Sequence, residues 1–164
     1  CDGWMMSMPN ANFEAAADGT AVPGWCTEGP DPKGVDRAAG VAYTMANDAY
    51  LESWSTAQWN ALAQHVVVPT CATLELGAYV WTSTNVTAGY FGVRDRPAEV
   101  VRSETRFGPL TGWYQRLSVR FPSRCTAEDR LYPGPVTYTA FVGFWSPGGY
   151  SWVMVDDFTI GRVA

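Results

Sequence analysis

The chain has 164 residues, enough for one domain with a sizeable core, and is 47% hydrophobic but only 16% charged, with eight Trp, eight Tyr and seven Phe. A formal net charge of -5 leaves no basic surplus to neutralise phosphates, which argues against non-specific nucleic-acid binding. No run of apolar residues reaches the ~18 needed for a transmembrane helix.

In chain order, residues 1–9 read as an irregular, Met-rich lead-in. Next comes NANFEA, residues 10–15, a turn that sets Glu14 beside the apolar Phe13, where a carboxylate needs a partner. Pro23-Gly24-Trp25 follows, with Trp25 expected in the core. Strand-like runs rich in β-branched and aromatic residues occupy 41–45, 65–68, 73–82, 89–94, 100–107, 113–121, 136–145 and 151–160, each bounded by Gly, Pro, Asn or Asp. The stretch 48–64 has poor apolar spacing and is expected to be a loop with at most one or two turns of helix, capped by Ser55. Trp113, like Trp25, is expected in the core. About eight or nine strands at this spacing predict a single all-β domain, a sandwich of two antiparallel sheets.

The four cysteines (Cys1, Cys26, Cys71, Cys125) are widely spaced, with no Cys-x-x-Cys pair, so zinc and redox-motif readings fail on spacing. An even count in a chain whose one lysine is Lys33 suggests two disulfides and an oxidising compartment, hence a secreted or cell-surface protein. Of three connectivities, Cys1–Cys26 with Cys71–Cys125 is preferred. The missing initiator Met reads as a removed signal peptide. A lipid anchor on Cys1 is the variant, and it would leave an odd thiol. Asn85-Val86-Thr87 is an N-glycosylation sequon.

Alternation assigns faces. In 73–82, Leu74, Leu76, Ala78 and Val80 share one side, with Glu75, Gly77, Tyr79 and Trp81 on the other. In 89–94, Phe91 and Val93 oppose Tyr90, Gly92 and Arg94. Read as neighbouring strands, the two send Tyr79, Trp81, Tyr90 and Arg94 to one face away from the core.

Six pieces in order carry a family resemblance: Asn10-x-Asn12-Phe13-Glu14, Pro23-Gly24-Trp25, Gln64-x-Val66-x-Val68-Pro69, Gly92-Val93-Arg94, Trp113-Tyr114-x-x-Leu117-Ser118-Val119-x-Phe121, and Val155-Asp156-Asp157-Phe158-Thr159-Ile160. Together, over roughly residues 10 to 162, they resemble the galactose-binding-like jelly rolls, and among these the carbohydrate-binding modules of the family 4, 9 and 22 type. The resemblance implies a jelly-roll β-sandwich in which a structural calcium ion ties the first and last strands. Carried over by position, Glu14 and Asp156 would supply carboxylate oxygens, with the Asn12 carbonyl, a group near 36–39 and Asp157 completing a hard-oxygen shell. The alternative is that these acids only accept from backbone amides.

Catalytic constellations are sparse. His65 is the lone histidine, and no nucleophile elbow, phosphate loop or histidine pair occurs. Glu99 with Glu104, or Glu128 with Asp129, could be paired as a glycosidase couple, but neither sits in an apolar setting, so the expectation is no enzyme. The aromatic surplus suits sugar binding, because the C–H faces of sugar rings stack on Trp and Tyr while their hydroxyls take planar polar partners. The expected ligand contacts are Tyr79, Trp81, Tyr90 and Arg94. Trp54 and Trp59 wall one side of a cleft and Trp145 and Trp152 the other. The rival reading is a structural or adhesion module that self-associates through the same rings.

Overall fold

The computed structural model describes residues 1–15, 19 and 21–163. Eleven strands form two sheets. One runs β1 (Asp2–Met5), β5 (Thr56–Pro69), β10 (Pro135–Pro147), β7 (Gly89–Asp95), β8 (Val100–Phe107), with β2 (Cys26–Glu28) also pairing β5. The other runs β3 (Lys33–Asp36), β4 (Asp48–Ser53), β11 (Ser151–Arg162), β6 (Thr73–Thr82), β9 (Gln115–Pro122). All pairings are antiparallel except β1 on β5. The architecture is the jelly-roll β-sandwich expected.

The core lies between the sheets and follows the predicted alternation. Leu62 and Val66 of β5, Phe91 and Val93 of β7, and Val142 and Phe144 of β10 face Leu74, Leu76 and Val80 of β6 and Val153 and Val155 of β11, all fully or almost fully buried. Each such side chain contributes about 1.5–3 kcal/mol by leaving water. At one end Phe13, Trp25 and Phe158 pack ring against ring, with centroids 4.6–6.3 Å apart. This anchors the NANFEA turn to the last strand, where the Phe158 amide donates to the Ala11 carbonyl. Both preferred disulfides are present, with Cα–Cα distances of 5.1 Å for Cys1–Cys26 and 4.5 Å for Cys71–Cys125.

Several local expectations change. Residues 48–64 are not a loop: they supply β4 and most of β5. Their period-2 signal is hidden because Ala61 and Ala63, on the side of β5 away from the main core, are as buried as Leu62, and alternation is legible only when one face is polar. Residues 41–45 are turns and bends rather than a strand, between positive-φ Gly40 and Met45. The lead-in contains β1, where Asp2 pairs with His65 and Met5 with Val67 of the distant β5. The one helix among the described residues is α1 (Ala127–Leu131), where Thr126 and Asp129 form a reciprocal capping box. Trp25 is buried, but Trp113 is 42% exposed.

Candidate functional site

The outer side of the six-stranded sheet carries a cleft of about 400 Å³ lined by Trp59, Tyr90, Arg94, Val101, Glu104, Phe141 and Trp145. Register puts it together. Strand β10 lies between β5 and β7, so Trp145 faces Trp59, Gly143 lies between Ala61 and Tyr90, and Phe141 lies between Ala63 and Gly92. Small residues leave the floor low. At Gly143 a Cβ would stand 2.6 Å from the Trp59 ring, so only glycine lets that indole lie across the strand. Trp59 then contacts Trp145, Tyr90 and Phe141 at centroid separations of 5.5, 6.4 and 6.2 Å. Trp145, 47% exposed, forms the open rim.

Arg94 is the polar element of the cleft. Its guanidinium lies 4.3 Å over the Phe141 ring and donates twice to Glu28, Nη1 to Oε2 at 2.7 Å and Nη2 to Oε1 at 2.8 Å. Glu28 Oε1 also accepts from Trp59 Nε1 at 3.0 Å. One carboxylate therefore fixes both the arginine and the indole. The Arg94 fork holds the Glu28 carboxyl below its ordinary value, against burial, with the Trp59 hydrogen bond helping. A fork on a ring face, pinned by a bidentate acid, is a rigid donor array. Beside it, apolar ring planes stay accessible.

The predicted single platform does not exist. Strands β6 and β7 are consecutive but belong to opposite sheets, so the chain crosses the sandwich between Trp81 and Tyr90. Of the expected ligand contacts, Tyr90, Arg94, Trp59 and Trp145 come together in the cleft. Tyr79, Trp81, Trp54 and Trp152 lie on the outer face of the five-stranded sheet. There Trp81 packs among Trp113, Tyr114 and Trp152 at 5.1, 5.6 and 5.1 Å. Tyr43 stacks on Tyr79 at 3.8 Å and 17°, and Trp54 meets Tyr150 at 4.8 Å. Sequence reasoning does not single out Glu28 or Phe141, and it weighs Glu104 only as half of a glycosidase couple. Glu28 sits in a three-residue strand with no local signal, and Phe141 reads as core from sequence because the run 138–144 is apolar on both faces.

The acids expected to hold calcium lie at the other end of the five-stranded sheet. Glu14 Oε1 accepts from the Ala46 and Asn47 amides at 3.0 and 2.7 Å, and Asn12 Oδ1 accepts from the Glu14 amide at 3.3 Å. Asp156 accepts from the Thr44 and Asp157 amides, and Asp157 from the Thr44 hydroxyl. The lone glutamate of the opening turn thus meets the loop before β4. Burial pushes the Asp48 carboxyl up to about 7, with Asp36 and Asp156 adding to the shift and the Tyr114 hydroxyl opposing it. Burial likewise pushes Asp156 up to about 7, with Asp157 adding to the shift. Asp48 Oδ1 is buried without a hydrogen bond. Among the described residues no three His, Cys, Asp or Glu side chains converge as a metal shell, so backbone carbonyls would supply the remaining ligands of a cation there. The donor chemistry, hard carboxylate oxygens with one left orphaned, is of the kind calcium takes.

Several other titratable groups have structural partners. His65 Nδ1 lies 2.8 Å from Asp2 Oδ1. Glu99 accepts from Arg96 and from the Thr139 hydroxyl, and Asp129 takes Arg124 and the α1 cap. No helix among the described residues is long and apolar enough to cross a membrane.

Compared by sequence, the chain matches no protein-family model and no curated protein. Compared by structure, it is similar to TmCBM61 solved in complex with beta-1,4-galactotriose, with a TM-score of 0.70 at 17% identity, over 94% of this chain and 97% of that one. A cyclase from Fischerella sp. TAU superposes with a TM-score of 0.73 at 14% identity, over 96% of each chain. A CBM4 structure superposes with a TM-score of 0.58 at 15% identity, over 85% of this chain and 95% of that one. The chain therefore shares the jelly-roll β-sandwich fold of these structures.

Proposed function

We propose that this domain is a non-catalytic carbohydrate-binding module of a secreted or cell-surface protein, holding a neutral polysaccharide in the Trp59–Tyr90–Arg94–Trp145 cleft. The observation that carries the reading is the pairing of accessible ring planes with an arginine fork fixed by Glu28. Sugar C–H faces stack on the rings while vicinal hydroxyls share the free donors of Arg94 and the exposed Glu104 carboxylate. A binding role is supported over catalysis by where the acids lie. A glycosidase needs a carboxylic acid of raised pKa at the bond it cleaves. Glu28, at the cleft, is lowered by Arg94, whereas the acids pushed up, Asp48 and Asp156, are buried in the other sheet. Secretion is supported by the two disulfides.

Calcium belongs to the same reading as a structural ion, held by Glu14, Asp156, Asp157 and the Asn12 carbonyl. Its role is to tie the opening turn to the closing strand.

The test is affinity electrophoresis through gels containing β-1,4-galactan, xylan or β-glucan. Galactan stands first because a neighbour spanning nearly the whole fold was solved with galactotriose. Retardation of the wild type by at least one polysaccharide, weakened at least fivefold in Arg94→Ala, is expected. A wild type that runs unretarded in all three overturns the reading.

A further inference from the structure

The cleft leaves half the surface aromatics unexplained. On the outer face of the five-stranded sheet, β6 and β11 are adjacent antiparallel strands whose inward positions are mostly aliphatic, while their outward positions carry Tyr79, Trp81, Trp152 and Met154. Loop residues extend the patch. Tyr43 lies flat on Tyr79, Trp113 closes on Trp81, and Trp54, 59% exposed, meets Tyr150 of the β10–β11 turn at a tilt of 33°. A face built for simple hydrophobic burial would use the aliphatic residues that the same strands present inward. Here the selection is for ring planes.

The same face also repeats the polar device of the cleft. Arg116, opposite Tyr79 in the β6–β9 register, donates from Nη2 to Glu75 Oε1 at 3.2 Å, and Arg120 Nε holds the other Glu75 oxygen at 3.0 Å. Gly77 makes room for it: a Cβ there would stand 2.5 Å from Arg116 Nη2. The Arg116 side chain is 44% exposed, so its remaining donors point to solvent beside the rings. Glu75 is held below its ordinary value by Arg120 and Arg116, as Glu28 is by Arg94. Each sheet thus presents an acid-tethered arginine next to aromatic planes. On the five-stranded face Arg116 and Arg120 stand with Glu75 and with Glu52, whose Oε1 accepts from the Tyr150 hydroxyl at 3.3 Å, a balance of charges that suits a neutral ligand.

We infer that the outer face of the five-stranded sheet is a second, independent binding surface for a neutral polysaccharide, rested on the exposed Trp54, Trp113 and Tyr150 rings that flank Trp81 and Trp152, with Arg116 taking ring hydroxyls. The inference rests on the carbohydrate reading of the cleft. Because the two surfaces point away from each other across the sandwich, they engage different chains, and one domain cross-links polysaccharide.

The experiment uses three variants of the whole chain: a cleft variant (Arg94→Ala with Trp145→Ala), a face variant (Trp54→Ala with Trp113→Ala, two exposed rings), and Arg116→Ala, which leaves every ring in place. Each is run on the galactan, xylan and β-glucan gels, mixed with beads coated in the same polysaccharides, and sized without ligand. Wild type is expected to run as a monomer and to agglutinate the beads. The cleft and face variants should each be retarded at least fivefold less, both still measurably, and agglutinate nothing. Arg116→Ala should follow the face variant. Three outcomes overturn the second surface while leaving the cleft reading intact: a cleft variant with no residual retardation, a face variant and Arg116→Ala that both behave as wild type, or a wild-type dimer that the face variant converts to monomer. A wild type retarded by no gel overturns both.

Discussion

The two outer faces of this sandwich use one vocabulary in two ways. On the six-stranded side Trp59 meets three rings at the wider spacing of 5.5–6.4 Å over a low floor of Ala61, Ala63, Gly92 and Gly143, and the polar group is sunk among them, Arg94 being only 11% exposed. On the five-stranded side the rings fill each other's gaps, Trp81 touching three aromatic neighbours, and the polar group sits beside them in solvent. The first arrangement leaves a cavity and the second a flat, self-packed surface. What separates them is what glycine admits: Gly143 lets the Trp59 indole lie across its strand beside a hollow, whereas the room over Gly77 is filled by the Arg116 side chain.

That contrast can be broken by mutation. The largest effect is expected from Arg94→Ala, which removes the buried donor array and strips Glu28 of its fork. Polysaccharide affinity should fall by about 2–4 kcal/mol, the scale of a buried arginine hot spot, measured by titration calorimetry or gel retardation. Retained affinity would mean that the cleft is not the site.

Chelation ranks second. Calcium at Glu14, Asp156 and Asp157 would lie beneath the five-stranded face, where the loop before β4 places Tyr43 over Tyr79. EDTA is expected to lower the melting temperature, by about 2–3 kcal/mol of stability for an ion present near a hundredfold over its dissociation constant, and Glu14→Ala should abolish that sensitivity. A melting curve indifferent to EDTA removes calcium and leaves the acids as amide acceptors.

Trp81→Ala should then destabilise the fold by about 1–2 kcal/mol, less than the ~3–5 of a fully buried tryptophan because the ring is only partly covered. Trp145→Ala, on the open rim, should leave the melting temperature almost unchanged. Equal melting curves for the two would erase the distinction between packed face and open cleft.

The smallest effect is a flat pH response. Glu28 and Glu75 are both lowered on folding from an ordinary value of 4.5. Their contribution is complete above that value and is lost only as pH falls through the depressed folded values. Binding to either face should therefore be constant between roughly pH 5 and pH 8. Loss of binding within that window, followed by gel retardation, would point to a different charged group.

Composition and alternation alone determined that this chain is an all-β sandwich, which side of 73–82 and 89–94 is core, and that its outward positions carry rings and an arginine, because a strand's period of two is a local property. The motif order identified the jelly roll, and the cysteine pairing held. Which sheet each strand joins was decided only in three dimensions. Residues 73–82 and 89–94 are consecutive, yet one lies in each sheet, so a platform drawn across them became two faces on opposite sides. The cleft depended on register between strands far apart in sequence: Glu28 reaches Arg94 across 66 positions, and Trp59 meets Trp145 across β5 and β10. Hydrophobic periodicity records whether a residue faces in or out. It carries no information about which distant strand lies beside it, and that pairing is what brings a ring, a fork and a carboxylate into one site.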